Sequence, residues 1–115
     1  MKGPAMPKAP SPQAISRLLK AAGFERSEMT SRASLRQTWT TGFRVRFDKD
    51  AGQVFVGWLH KRADPYTPYR LLAEQHKATA LEMAGKYAEA ISAAGWNAEV
   101  IHLAGPVVRV TAKEG

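Results

Sequence analysis

Apolar residues recur every three to four positions at Ile15, Leu18, Leu19 and Ala22, the spacing that lines one face of an α-helix. Ser11-Pro12 opens this helix, with serine as its cap and proline at the first helical position, where a missing N–H costs nothing. Gly23 closes it. Residues 24–32 show no period and read as a connection. Residues 35–47 are rich in Thr, Trp, Phe and Val and predict strand. Gly42 interrupts them, either as a bulge in one long strand or as the left-handed position of a hairpin loop joining two. Phe43, Val45 and Phe47 then alternate with Arg44 and Arg46, the period of a half-buried strand. Asp48 to Gly52 supply turn chemistry and 54–60 form the return strand. A four-residue loop puts Val54, Val56 and Trp58 on the side of Phe43, Val45 and Phe47, and leaves Phe55 and Leu59 beside Arg44 and Arg46. A slip of one residue would exchange the two sides.

Asp64 to Pro68 break the strand, and the pattern predicts that Thr67 caps a second helix opened by Pro68. Residues 69–94 lack proline and are crowded with good helix formers, which predicts one long helix. Ala73, Ala80, Ala84, Tyr87, Ile91 and Ala94 make its inner stripe, and Gly85 offers a bend. Gly95 ends it, and 98–103 and 107–112 form a second hairpin around Ala104-Gly105-Pro106. The order α-β-β-α-β-β predicts an α+β fold of two layers: a four-stranded, mostly antiparallel sheet with both helices on one face. Residues 11–115 are read as one domain behind a disordered Pro/Ala/Lys tail at 1–10. The helix ends Ala21-Ala22-Gly23-Phe24 and Ala93-Ala94-Gly95-Trp96 are alike, so the domain also reads as two αββ units, 11–62 and 67–113.

With 115 residues, 44% apolar and 23% charged, the composition fits one small core and excludes scaffolds that need roughly 200 residues or more. The chain has no cysteine, which removes disulfides, thiol nucleophiles and thiolate metal sites. No apolar run is long enough to span a bilayer and residues 1–10 lack the hydrophobic stretch of a signal peptide. The expectation is a cytoplasmic protein with no membrane role. Charge sharpens the picture: residues 1–62 carry twelve basic and four acidic side chains, whereas 63–115 carry five and six. A basic half of this kind favours polyanions as partners.

No constellation for catalysis stands out. His60, His76 and His102 lack the spacing of a zinc site, no Gly-rich phosphate loop is present, and Asp48 and Asp50 suit a turn. No cofactor, metal or catalytic residue is expected. His60, followed by Lys61 and Arg62, leaves a metal-free ribonuclease as a distant alternative. The leading signal is the basic series with few acids between its ends. The candidate nucleic-acid-binding residues are Arg17, Lys20, Arg32, Arg36, Arg44 and Arg46, with Trp39 and Phe55 as rings for unpaired bases. The expected function is a small non-enzymatic accessory protein that binds DNA or RNA mainly through phosphates. The alternative is an interaction module that docks on a host protein, and a homodimer through the sheet face is a further partner to consider.

Two resemblances add to this reading. The stretch ISRLLKAAGFE at 15–25 resembles the start of HicA-like toxins, small ribonucleases whose catalytic His lies in a Gly-Ser-His-His box before the second strand. The matching region at 31–36 reads SRASLR, so no catalytic residue is carried over. More broadly, SRLLKAAGFERS, TTGFRVRF, ISAAGW and VVRVTA resemble small uncharacterised proteins of actinobacteria and their phages. That resemblance implies a bacterial or phage setting and transfers no activity.

Overall fold

A computed structural model describes residues 9–31 and 37–112. Within it Ser11 Oγ accepts the Ala14 N–H at 3.1 Å and starts α1 (Pro12–Ala21). Ile15 and Leu19 are its buried face, while Arg17 and Lys20 are exposed. Gly23 takes a positive φ and the Phe24 N–H returns to the Leu19 carbonyl, the expected glycine stop. The second glycine stop is built in the same way, with Gly95 at positive φ and the Trp96 N–H donating to Ile91.

The connection after α1 contains a strand that periodicity does not reveal. β1 (Met29–Ser31) pairs antiparallel with β2 (Thr38–Trp39) as a separate two-stranded sheet. The main sheet consists of β3 (Gly42–Asp48), β4 (Gln53–Leu59), β5 (Asn97–His102) and β6 (Pro106–Thr111), in the order β3-β4-β6-β5. Every neighbouring pair in it is antiparallel. The first hairpin has the register set by a four-residue loop, Asp48 opposite Gln53, with Asp48 Oδ1 accepting the N–H groups of Asp50 and Ala51.

Gly42 is neither a bulge nor a hairpin turn, because β2 pairs with β1 and not with β3. It sits where residues 25–27 cross the start of β3: Phe43 donates to the Glu25 carbonyl and accepts from the Ser27 N–H, both at 2.9 Å. A Cβ at Gly42 would lie 2.5 Å from the Glu25 carbonyl oxygen and 2.6 Å from the Ser27 nitrogen. Only glycine permits this crossing.

The long helix divides into α2 (Tyr69–Gln75) and α3 (Lys77–Ala93). The break falls at His76, with φ −116° and ψ 20°, and not at Gly85, which lies within α3. Pro68, not Thr67, occupies the cap position of α2; the Thr67 hydroxyl instead donates to Asp64 Oδ2 at 3.2 Å. Of the stripe expected to face inward, Ala84, Tyr87 and Ile91 are buried, whereas Ala73 and Ala94 are exposed.

α1 and α3 pack on one face of the sheet, and α2 buries no residue. The core joins Ile15 and Leu19 to Phe43, Val54, Val56, Val108 and Val110 through Tyr87 and Ile91. Tyr87 is its centre, meeting Phe24 and Phe43 edge to face at 5.0 and 6.1 Å, and burial raises its hydroxyl pKa to about 12. Among the described residues no helix is long and apolar enough to cross a membrane.

At the break, the His76 ring stacks on His60 with centroids 3.7 Å apart, beside Trp58. Burial first, and then the charges that His76 and Lys61 would carry, hold the His60 pKa below its ordinary 6.5.

Two expectations follow from these contacts. Gly42→Ala should lower stability by about 2 to 3 kcal/mol, because the clash is with backbone and not with a movable side chain; an unchanged denaturant midpoint would show that the crossing tolerates a Cβ. The unfolded chain takes up a proton at His60 near pH 6.5, while the folded chain does so only at lower pH. Stability is therefore intact above that value and is lost as pH falls through the folded value. Thermal melting across this range should show the loss in the wild type and a shallower slope in His60→Gln.

Candidate nucleic-acid interface

Packing of both helices on one face leaves the other face of the sheet open, and the register decides what stands on it. Phe43, Val45, Val54 and Val56 turn to the helices, so Arg44, Arg46 and Phe55 turn away from them. Arg46 lies directly opposite Phe55, Phe55 opposite Arg109, and Arg109 opposite Glu99. One row therefore crosses all four strands as Arg46, Phe55, Arg109, Glu99. Arg109 and Glu99 form an ion pair, which compensates the cation nearer β5. Arg44 and Arg46, on β3, have no such partner among the described residues. The positive charge of the face is concentrated at the β3 edge.

Trp39 has a different environment from Phe55. It is only 7% exposed and its Nε1 donates to the His60 carbonyl at 2.9 Å. The guanidinium groups of Arg44 and Arg62 lie 5.5 and 5.4 Å from its ring centroid, and Tyr69 meets it at an angle. Trp39 is thus a platform that holds Arg44 by cation–π attraction. Phe55 is the half-buried ring on the open face.

Arg62 acts within the fold. Its Nε, Nη1 and Nη2 donate to the carbonyls of Thr67, Gln37 and Pro65 at 3.0, 3.2 and 2.7 Å. Backbone bonds in both directions join Arg62 to Trp39 as well. The guanidinium fork ties the loop before α2 to the segment that enters β2, and so fixes the tryptophan beneath Arg44.

On the helix side of β3 a groove of about 750 Å³ runs between α1 and the strand edge. Arg17, Lys20, Arg26 and Arg44 line it, against Glu28 as the one acid among its described lining. Arg17 and Lys20, three apart on α1, are brought there by the burial of Ile15 and Leu19 on the opposite side of the helix. Arg17 and Lys20 of α1 and Arg44 of β3, all candidates from sequence, are brought together at this edge. Arg26 joins them although no periodicity singled it out; its place comes from the crossing at Gly42. Arg32 and Arg36 lie outside the described residues.

A second depression, of about 900 Å³, covers the open face toward the end of β4. Arg44, Arg46, Arg70 and Lys77 contribute to its lining together with Phe55 and Glu74. Arg70 and Lys77 were not foreseen, because their helices reach this region only through the break at His76. His102 is exposed on β5. Among the described residues no group of three or more His, Asp or Glu side chains is placed to hold a metal ion. Comparison of the chain with protein-family models, with curated proteins and with solved structures found no match.

Proposed function

We propose that the protein is a small accessory protein that binds nucleic acid through the open sheet face and the β3 edge, mainly by phosphate contacts. The observation that supports this reading most is the placement of cations around one strand. Arg44 and Arg46 stand on its open face, with Arg17, Lys20 and Arg26 across its edge. Five charges in this arrangement attract a polyanion and release its counterions. Phe55 lies between Arg46 and Arg109 and offers a ring to an unpaired base, so a single strand fits the face better than a closed duplex. The mechanism needs no catalytic group: the rigid hairpin presents Arg44 on its tryptophan platform, and Arg46 beside the ring. The resemblances noted above favour a bacterial or phage cytoplasm as the setting.

A second reading, docking on a host protein, draws support from Val107 and Ile101. They are cross-strand partners on the same open face and both are half-buried. An interface on that apolar part of the sheet would respond weakly to salt.

Titration of labelled single-stranded DNA, RNA and duplex DNA at two salt concentrations separates the two readings. Phosphate-driven binding should weaken steeply with salt. Replacing Arg44 and Arg46 with Glu should lower affinity about tenfold or more and reduce the salt slope by about two. Phe55→Ala should reduce single-strand affinity by about fivefold or more. Lys86→Glu is the control, since Lys86 is on α3 and already paired with Glu82. No binding at low salt, or equal loss in the control, would reject the nucleic-acid reading.

A further inference from the structure

β3 ends the sheet, and its backbone is only partly paired on the outer side. Phe43 turns its N–H and carbonyl outward, and residues Glu25 and Ser27 satisfy both at 2.9 Å. In an antiparallel pair the outward direction repeats every second residue. Val45 and Phe47 therefore turn their N–H and carbonyl groups to the same side, where no described residue pairs with them. Val45 lies in the floor of the groove lined by Arg17, Lys20, Arg26 and Arg44. Phe47 is 43% exposed at its outer end. The outer edge of β3 thus presents donors and acceptors at strand spacing that no described residue pairs, beginning in the cationic groove at Val45.

We propose that this edge is a docking site for an extended acidic peptide segment of a partner protein, added as a strand beside β3. The backbone ladder supplies the affinity that is independent of sequence, and the cations select acidic side chains on either side of the added strand. Phosphate oxygens accept hydrogen bonds but donate none, so phosphate contacts would leave the Val45 and Phe47 carbonyls without partners, whereas an added strand supplies a donor for each. A second copy of this chain is disfavoured by the same charges. Pairing two β3 edges would bring Arg44 and Arg46 against their own copies, which is how charged edge strands avoid self-association. Charge complementarity thus points to a partner of opposite sign. This site goes beyond the nucleic-acid reading, with which it shares the edge cations Arg17, Lys20, Arg26 and Arg44; what it adds is the backbone ladder of β3.

The test uses the full chain, isotope-labelled, and a short synthetic peptide of alternating Glu and Val, with a Lys/Val peptide and a thymidine oligonucleotide for comparison. The acidic peptide should shift the Val45 and Phe47 amide signals and slow their hydrogen exchange about tenfold or more. Arg17→Glu with Lys20→Glu, both on the exposed side of α1, should weaken that binding about tenfold. Unperturbed Val45 and Phe47 amides overturn the proposal, as does equal binding of the Lys/Val peptide. So does slower exchange of these amides with the oligonucleotide but not with the acidic peptide, which would assign the edge to nucleic acid. Failure of the oligonucleotide to bind anywhere rejects the nucleic-acid reading, and the acidic-peptide site then stands or falls on the Val45 and Phe47 amides alone.

Discussion

The register of the first hairpin governs the molecule, because it separates one strand into a core side and a charged side. Phe43 and Val56 enter the packing around Tyr87, and their burial requires Arg44 and Arg46 to point away. A shift by one residue would drive two guanidinium groups into an apolar interior, at a desolvation cost comparable to the total stability of a domain this size. The turn at Asp48 to Gln53 fixes the same register from the other end, through the two N–H groups collected by the Asp48 carboxylate. Core packing and surface charge are therefore two consequences of one alignment.

What lies at the start of β3 depends on a second constraint, the close crossing at Gly42. The approach of residues 25–27 satisfies the Phe43 backbone and carries Arg26 to the groove. From that crossing the chain continues into β1, whose partner β2 contains Trp39, and Trp39 is in turn bonded through its backbone to Arg62. The position of Arg44 over the tryptophan thus depends on a chain of contacts: a glycine, a strand of two residues and the Arg62 guanidinium bound to three carbonyls. A charged surface residue gains a defined place from a scaffold that contributes little charge at its own surface.

Local signals made much of this legible. Cap, period and stop residues marked α1, and alternation marked β3 and β4, because in both cases the deciding interactions are between near neighbours in sequence. The faces of the first hairpin followed from loop length alone. Other features depend on partners remote in sequence. β1 is three residues long and has no apolar period; the Thr30 and Thr38 hydroxyls bond across the gap, and Thr40 accepts the N–H of Glu28 just before the strand. The helix break at His76 occurs in a run of good helix formers, where propensity favours continuity, and coincides with stacking on His60 of β4. Thr67 has the chemistry of a helix cap, but Asp64 three residues earlier captures its hydroxyl. Trp39 in a strand-like segment reads as an exposed ring until Arg62 and Tyr69 are seen to enclose it.

The strand order adds a relation that neither half of the chain reveals alone. Each hairpin contributes its second strand to the centre of the sheet and its first to an edge, so β4 and β6 are equivalent neighbours and β3 and β5 are equivalent edges. The helices α1 and α3 end in the same glycine-aromatic stop, but α3 leads directly into β5 whereas β1 and β2 intervene between α1 and β3. Phe55 and Arg109 face each other at the middle of the central pair. The frame is nearly symmetric and the charge is not: where β3 has Arg46, the corresponding place beside Arg109 on β5 is held by Glu99. Strand order treats the two edges alike, so it does not account for this difference. The asymmetry resides in exposed side chains, which are free of the core's demands, and it gives one edge of a symmetric sheet a field that the other lacks. That is the physical reason to seek the binding partner of this protein at β3.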